Sequence, residues 1–195
     1  SSDLPWHYAY MKIGEGCDHR CTFCAIPSFR GDFVSRSLES LEQEAGMLAG
    51  SGVKELVLIS QDTTFYGRDM YGESKLPELL RRLGRVNGLE WIRMLYLYPT
   101  MVDDALLDAV AEEEKVCAYL DVPLQHVDND VLRRMGRASD EASVRALVAR
   151  MRDRVPGVSL RTSFIVGFPG ETDDAFARLL DFVVESEFDH CGVFA

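Results

Sequence analysis

Nowhere in the 195 residues do about 20 apolar side chains run together, so no stretch is built to cross a bilayer as a helix. The opening Ser1-Ser2-Asp3-Leu4-Pro5-Trp6 lacks the basic-then-apolar pattern of a secretory leader. It also lacks an initiator Met, as expected of a piece trimmed from a longer chain. Basic residues are outnumbered, with 21 Lys and Arg against 32 Asp and Glu and a net charge of −11. An acidic surface repels a phosphate backbone, and nucleic-acid binders carry a basic footprint. Direct nucleic-acid binding is therefore not expected, and the balance favours a basic protein partner. The clusters Arg133-Arg134 and Arg150 to Arg154 read as solvated helix faces. A disulfide framework is missing too: the five cysteines are odd in number and three crowd together, which fits a reducing cytoplasm. No G-x-G-x-x-G follows the first strand, which argues against a Rossmann architecture. No linker or low-complexity tract divides the chain. What remains is one domain over 1–195, 47% apolar and large enough to bury a core, with a mean hydropathy of −0.08.

The chemistry concentrates in Gly16-Cys17-Asp18-His19-Arg20-Cys21-Thr22-Phe23-Cys24, where three cysteines are spaced C-x3-C-x2-C. Thiolates this close can converge on one soft metal centre from a single loop. On a four-iron cubane, three cysteines leave one iron open for chemistry. A structural zinc site is the competing reading. It wants four ligands, usually from two C-x2-C pairs, so the fourth would have to be His19, Cys117 or Cys191. Cys117 and Cys191 sit alone in apolar runs and read as ordinary core residues.

Strand and helix patterns alternate along the whole chain. Strands are expected at Tyr8 to Ile13, Val53 to Ile59, Leu89 to Leu97, Val116 to Val122 and Val158 to Val166, with a sixth beginning at Cys191. Helices are expected after Ser37, after Ser74, around Leu106 to Val110, over Val131 to Met135 and Glu141 to Val155, and after Thr172. This predicts an α/β fold, a partial (β/α) barrel of about six parallel strands that stops in the sixth. In such barrels the site gathers at the C-terminal strand ends, which here carry Cys17, Asp62, Tyr98, His126 and Glu171 in turn. Period-two alternation puts Arg161, Ser163, Ile165 and Gly167 on one face. If that face looks inward, Arg161 is a buried cation needing a partner, with Asp121 a structural candidate. A lone His126 at a strand end more often serves structure than chemistry.

The cysteine loop, with Phe23 before the third cysteine, resembles the signature of the radical S-adenosylmethionine (SAM) enzymes. That resemblance implies one 4Fe-4S cluster on Cys17, Cys21 and Cys24, with SAM on the open iron. It implies an external electron donor and cleavage of SAM to a 5′-deoxyadenosyl radical. Ser60-Gln61-Asp62 stands where the family receives the SAM ammonium, so these three residues are expected to bind the cofactor. The run Ser163-Phe164-Ile165-Val166-Gly167-Phe168-Pro169-Gly170-Glu171 is similar to the family's adenine-packing pattern, with Ser163 in place of its first Gly. It assigns Ser163, Ile165, Gly167 and Glu171 to SAM. Gln125 is expected at the ribose or the substrate, and Arg161 at the SAM carboxylate.

Gly14-Glu15-Gly16-Cys17, Ala25-Ile26-Pro27, Pro123-Leu124-Gln125-His126 and Gly167-Phe168-Pro169-Gly170-Glu171-Thr172 further resemble the methylthiotransferases. Ser60-Gln61-Asp62 and Tyr96-Leu97-Tyr98-Pro99 favour the branch that modifies the β-carbon of an aspartyl residue in a small-subunit ribosomal protein. The tRNA-modifying branch is the alternative, and a zinc-stabilised partner-binding barrel is a third reading. The resemblance implies a radical SAM core over 1–195, without the upstream domain that holds a second cluster or the C-terminal TRAM domain. Such a core is expected to bind SAM without completing methylthiolation.

Overall fold

The computed structural model describes residues 6–195. Strand β1 (Tyr8–Lys12) leads into a two-residue strand β2 (Gly14–Glu15), the cysteine loop and a short helix α1 (Ile26–Arg30). Strand β3 (Val34–Ser35) returns antiparallel to β2. Helix α2 (Leu38–Gly50) starts at the expected cap, where the Ser37 side chain accepts from the Ser40 amide. Strand β4 (Glu55–Ile59), helix α3 (Arg68–Tyr71), helix α4 (Leu76–Gly84) and strand β5 (Trp91–Met94) follow. Helix α4 begins one residue later than the sequence suggests, with Lys75 rather than Ser74 at its N-cap and Pro77 in its first turn. Helix α5 (Asp104–Glu112), strand β6 (Tyr119–Asp121), helix α6 (Asn129–Arg134) and helix α7 (Glu141–Arg154) lead to strand β7 (Ser159–Ile165), helix α8 (Asp173–Ser186) and strand β8 (His190–Phe194).

Six parallel strands are present and in the expected order, but they do not form one sheet. One sheet runs β1-β4-β5 and a second β6-β7-β8, with the β2-β3 pair separate. The two parallel sheets meet at a seam made by the isolated bridge Ile92–Val116 and by a bond from the Leu97 amide to the Asp121 carbonyl, 2.8 Å. The ladder breaks there for local reasons. Tyr96 takes a left-handed φ of 62° just past β5, which bends that strand away. The expected strand Val116 to Val122 shrinks to β6 because the Tyr119 amide turns back to the Cys117 carbonyl at 2.6 Å.

Alternation along the strands separates two environments. Leu56 and Leu58 of β4, Ile92 and Met94 of β5, Leu120 of β6, and Leu160 and Phe164 of β7 are buried in the core. Leu76, Leu79, Leu80 and Leu83 bury the stripe of α4 completely, each worth about 1.5–3 kcal/mol. The opposite strand positions face an open inner surface.

One cap links fold to pH. The Asp128 side chain caps α6, accepting from the Asp130 and Val131 amides at 3.0 and 3.1 Å, and it is paired with Arg178. Burial pushes its carboxyl up, but Arg178 and the two amides outweigh that and hold it below the ordinary range. Its folded pKa therefore lies below the unfolded value of about 3.9. The stabilisation it adds is present above that pH and is lost as pH falls through the depressed folded value. Asp128→Asn, which keeps the cap and loses the charge pair, is expected to flatten the acid limb of a plot of Tm against pH below about pH 4.

Candidate functional site

The cysteine loop hangs between β2 and α1 and is fastened from distant parts of the chain. Gly16 turns the backbone at φ 88°, and its amide donates to Gln61 Oε1 at 2.8 Å, tying the loop to the end of β4. The Cys17 amide donates to the Gly31 carbonyl at 3.1 Å, and Asp18 accepts from the Phe33 amide at 2.8 Å. Across the molecule, the Thr22 amide and hydroxyl donate to the carbonyls of Met135 and Arg134 at 3.0 and 2.8 Å. A further tight turn comes from the Cys24 amide to the Cys21 carbonyl, 3.1 Å.

So held, all three thiols line one cavity of about 190 Å³, together with Gln61, Tyr98, Gln125 and Arg137. Cys17 is buried, while Cys21 and Cys24 are half-buried. Burial pushes the thiols of Cys17 and Cys21 up; the His19 amide partly offsets this at Cys17 and Arg137 does so at Cys21. Held above the ordinary thiol range, Cys17 and Cys21 must give up protons to bind a metal.

The donor set fits a three-cysteine cluster and not a four-ligand ion. His19 is committed elsewhere, its Nε2 2.7 Å from Asp62 Oδ2 and its ring stacked on Tyr98 at 3.5 Å and 9°. Cys117 lies at the β5–β6 seam and Cys191 is exposed on β8. Among the described residues no three His, Cys, Asp or Glu side chains close around a single ion. A cubane spreads its ligands more widely than one ion does.

The remaining candidates divide into groups. Gln61 and Gln125 line the cysteine cavity. Gln125 does so with a left-handed φ of 72°, held by its amide on the Ser163 carbonyl and its carbonyl on the Ile165 amide, both 2.8 Å. Ser60 and Asp62 are buried behind the cavity wall. The Ser60 hydroxyl is 3.2 Å from that of Thr63, and both Asp62 oxygens are engaged, one by Thr64 and one by His19. Ser163 and Ile165 meet Gln125 through their backbones, while Gly167 and Glu171 line a separate open hollow. Arg161 is half exposed rather than buried, because the inner sheet face is open; its nearest carboxylate is the expected Asp121, at 3.8 Å.

His126 is fully buried. Its Nδ1 accepts from the Asp128 amide at 2.9 Å, which leaves the Nε2 proton for Glu171 Oε1 at 3.2 Å. The other Glu171 oxygen accepts from the Phe168 amide at 3.1 Å and fixes the Gly167-to-Gly170 turn. Glu171→Ala strands a buried N–H and is expected to cost about 1–3 kcal/mol in urea unfolding, with Glu171→Gln costing less.

Sequence reasoning missed Arg137. It lies 4.6 Å over Tyr98 and 5.9 Å from Phe23 and donates to the Pro123 carbonyl at 3.0 Å. Arg137, Tyr98, His19 and Asp62 form one continuous stack beside the thiols. No spacing rule marks it, since its members come from four separate loops.

Residues 11–183 match the profile of the radical SAM superfamily, and the chain belongs to that superfamily. Among curated proteins it is 51% identical over 187 residues to the ribosomal protein uS12 methylthiotransferase RimO of Alkaliphilus oremlandii, covering 96% of this chain and 43% of that one. It is 53% identical to RimO of Desulforamulus reducens, covering 97% and 43%. The chain thus spans about two fifths of the length of these relatives. Among solved structures, the radical SAM methyltransferase TsrM from Kitasatospora setae superposes with a TM-score of 0.78 at 20% identity, covering 96% of this chain and 35% of that one. Coproporphyrinogen III oxidase (HemN) from Escherichia coli gives 0.65 at 24%, covering 96% and 43%. At these identities both show the shared fold. No helix among the described residues is long and apolar enough to cross a membrane.

Proposed function

We propose that this chain is the catalytic core of a RimO-type methylthiotransferase, which replaces a β-hydrogen of an aspartyl residue in ribosomal protein uS12 with a methylthio group. The observation that carries this is the convergence of Cys17, Cys21 and Cys24 on one cavity, in a chain 51–53% identical to two RimO proteins. Cys17, Cys21 and Cys24 would hold one 4Fe-4S cluster, which when bound supplies the electron that cleaves SAM to a 5′-deoxyadenosyl radical. Gln61 holds the loop by accepting from Gly16 and presents the cavity floor. Gln125, fixed in its strained backbone, offers its amide to the cofactor's ribose. Ser163 and Ile165 of β7, with Gly167 just beyond it, would back the adenine, and Glu171 would support that wall through His126. Ser60 and Asp62 brace the ammonium end. The six parallel strands act as one curved wall of a partial barrel, creased at the β5–β6 seam. An external electron donor, the second cluster of an upstream domain and a reducing cytoplasm complete the reaction.

The test uses the full-length protein, reconstituted anaerobically with iron and sulfide, given SAM, a reductant and uS12. Mass spectrometry of uS12 is expected to show the gain of one methylthio group, and tRNA assayed in parallel none. The reverse result assigns the protein to the tRNA-modifying branch. Residues 1–195 alone are expected to yield 5′-deoxyadenosine but no methylthiolated product.

A further inference from the structure

Among the described residues, the inner face of the two sheets opens into one cleft. Parallel strands are ordinarily buried on both faces. Here Tyr8, Tyr10, Glu55, Arg93, Tyr119 and Arg161 line an open cleft of about 370 Å³ on the face opposite the core. Three tyrosines and two arginines make a surface suited to an extended polar chain, not to a missing helix. The two arginines differ. Arg93 Nε donates to Glu55 at 2.7 Å, and its guanidinium lies 4.7 Å over the Tyr119 ring, so it is engaged on both sides. Arg161 is half exposed, and its one ion pair among the described residues is long, Nε to Asp121 Oδ1 at 3.8 Å. Tyr119 also lies against Arg161, yet half of the side chain stays open to the cleft, where its planar fork can meet another carboxylate.

The cleft adjoins the cysteine cavity. Leu95 lines the cleft, Tyr96 and Leu97 line the cavity, and the Tyr96 amide donates to Asp121 at 3.3 Å. Arg161 is thus linked to the cavity wall through Asp121, which lies 3.8 Å from its Nε and accepts from the Tyr96 amide. On a chain of net charge −11 an acidic side chain needs a local cation to enter.

We propose, resting on the peptide-modifying function above, that this cleft is the substrate subsite and that Arg161 grips the side-chain carboxylate of the aspartyl residue to be modified. This takes Arg161 away from the SAM carboxylate, because it lines the cleft and not the cysteine cavity.

The test measures fluorescence anisotropy of peptides tiled from uS12, each paired with its asparaginyl counterpart, on the full-length reconstituted enzyme. Equilibrium dialysis measures SAM alongside. The wild type is expected to prefer an aspartyl peptide. Arg161→Met is expected to weaken that peptide about 10- to 100-fold, to the level of its asparaginyl partner, and to leave SAM affinity within about twofold. Arg161→Lys keeps the charge but loses the fork and is expected to recover part of the preference. A preference unchanged in Arg161→Met overturns the inference, as does loss of SAM binding with peptide binding intact. A wild type with no affinity for any peptide overturns the substrate assignment and this inference together.

Discussion

Cys21→Ala is expected to abolish both the colour and the radical chemistry of the reconstituted protein. The wild type is expected to take up about four irons with matching sulfide and to turn brown. The variant is expected to hold less than about one iron, to show no electron paramagnetic resonance signal that responds to SAM, and to form no detectable 5′-deoxyadenosine. Two thiols cannot retain a cubane that three hold only partially. Cys117→Ala and Cys191→Ala are the controls. Both residues lie away from the cavity, at the seam and on β8, so both variants are expected to bind iron like the wild type. A colourless wild type with one zinc would instead mean a structural ion, and the enzymatic assignment would fall with it.

The second large effect needs no change of a ligand. Gly16→Ala is expected to cost at least about 3 kcal/mol and to lower Tm by roughly 6–12 °C, with most of the iron lost. Gly16 has φ 88°, and an added Cβ would lie 2.1 Å from the Asp32 carbonyl oxygen and 2.8 Å from that of Gly31. Both are backbone atoms that no side-chain rotation can move. Relief requires displacing the loop, which breaks the Gly16–Gln61 and Cys17–Gly31 bonds that set the direction of the first thiol. Gly72→Ala is the comparison. Gly72 has a similar φ of 76° but nothing within 4 Å of its Cβ position, so it is expected to cost only about 1–2 kcal/mol and to keep the iron. Equal loss of iron from both variants would mean that the contact with Asp32 is not what positions the loop.

The cysteine trio, the six parallel strands and the caps at Ser37 and Thr172 were legible because each depends on residues close in sequence. The burial of His126 beneath a hydrogen-bonded Glu171 matches the structural role that a lone strand-end histidine suggests. The division into two sheets was not legible. It turns on the left-handed Tyr96 and on the Cys117–Tyr119 turn, which no apolar pattern announces in a run of strand-forming residues. Helices α1 and α3 leave no mark in the sequence because their five and four residues are too short to set up a 3.6-residue period. Arg161 was expected to be buried if its face looked inward; the face does so, but Arg161 lines an open cleft there and stays half exposed. The stack of Asp62, His19, Tyr98 and Arg137 spans more than a hundred positions of chain, so its order exists only in three dimensions.

The fastening of Thr22 to the carbonyls of Arg134 and Met135 has a consequence for biogenesis. The thiols are made first, and the segment that pins them arrives over a hundred residues later. A nascent chain emerging from the ribosome therefore displays three loose, oxidisable sulfurs before it owns a receptacle for inorganic cargo. The cavity that the thiols share closes only once that later segment is released, and the interval between is when a maturation factor or a scavenging oxidant would find them.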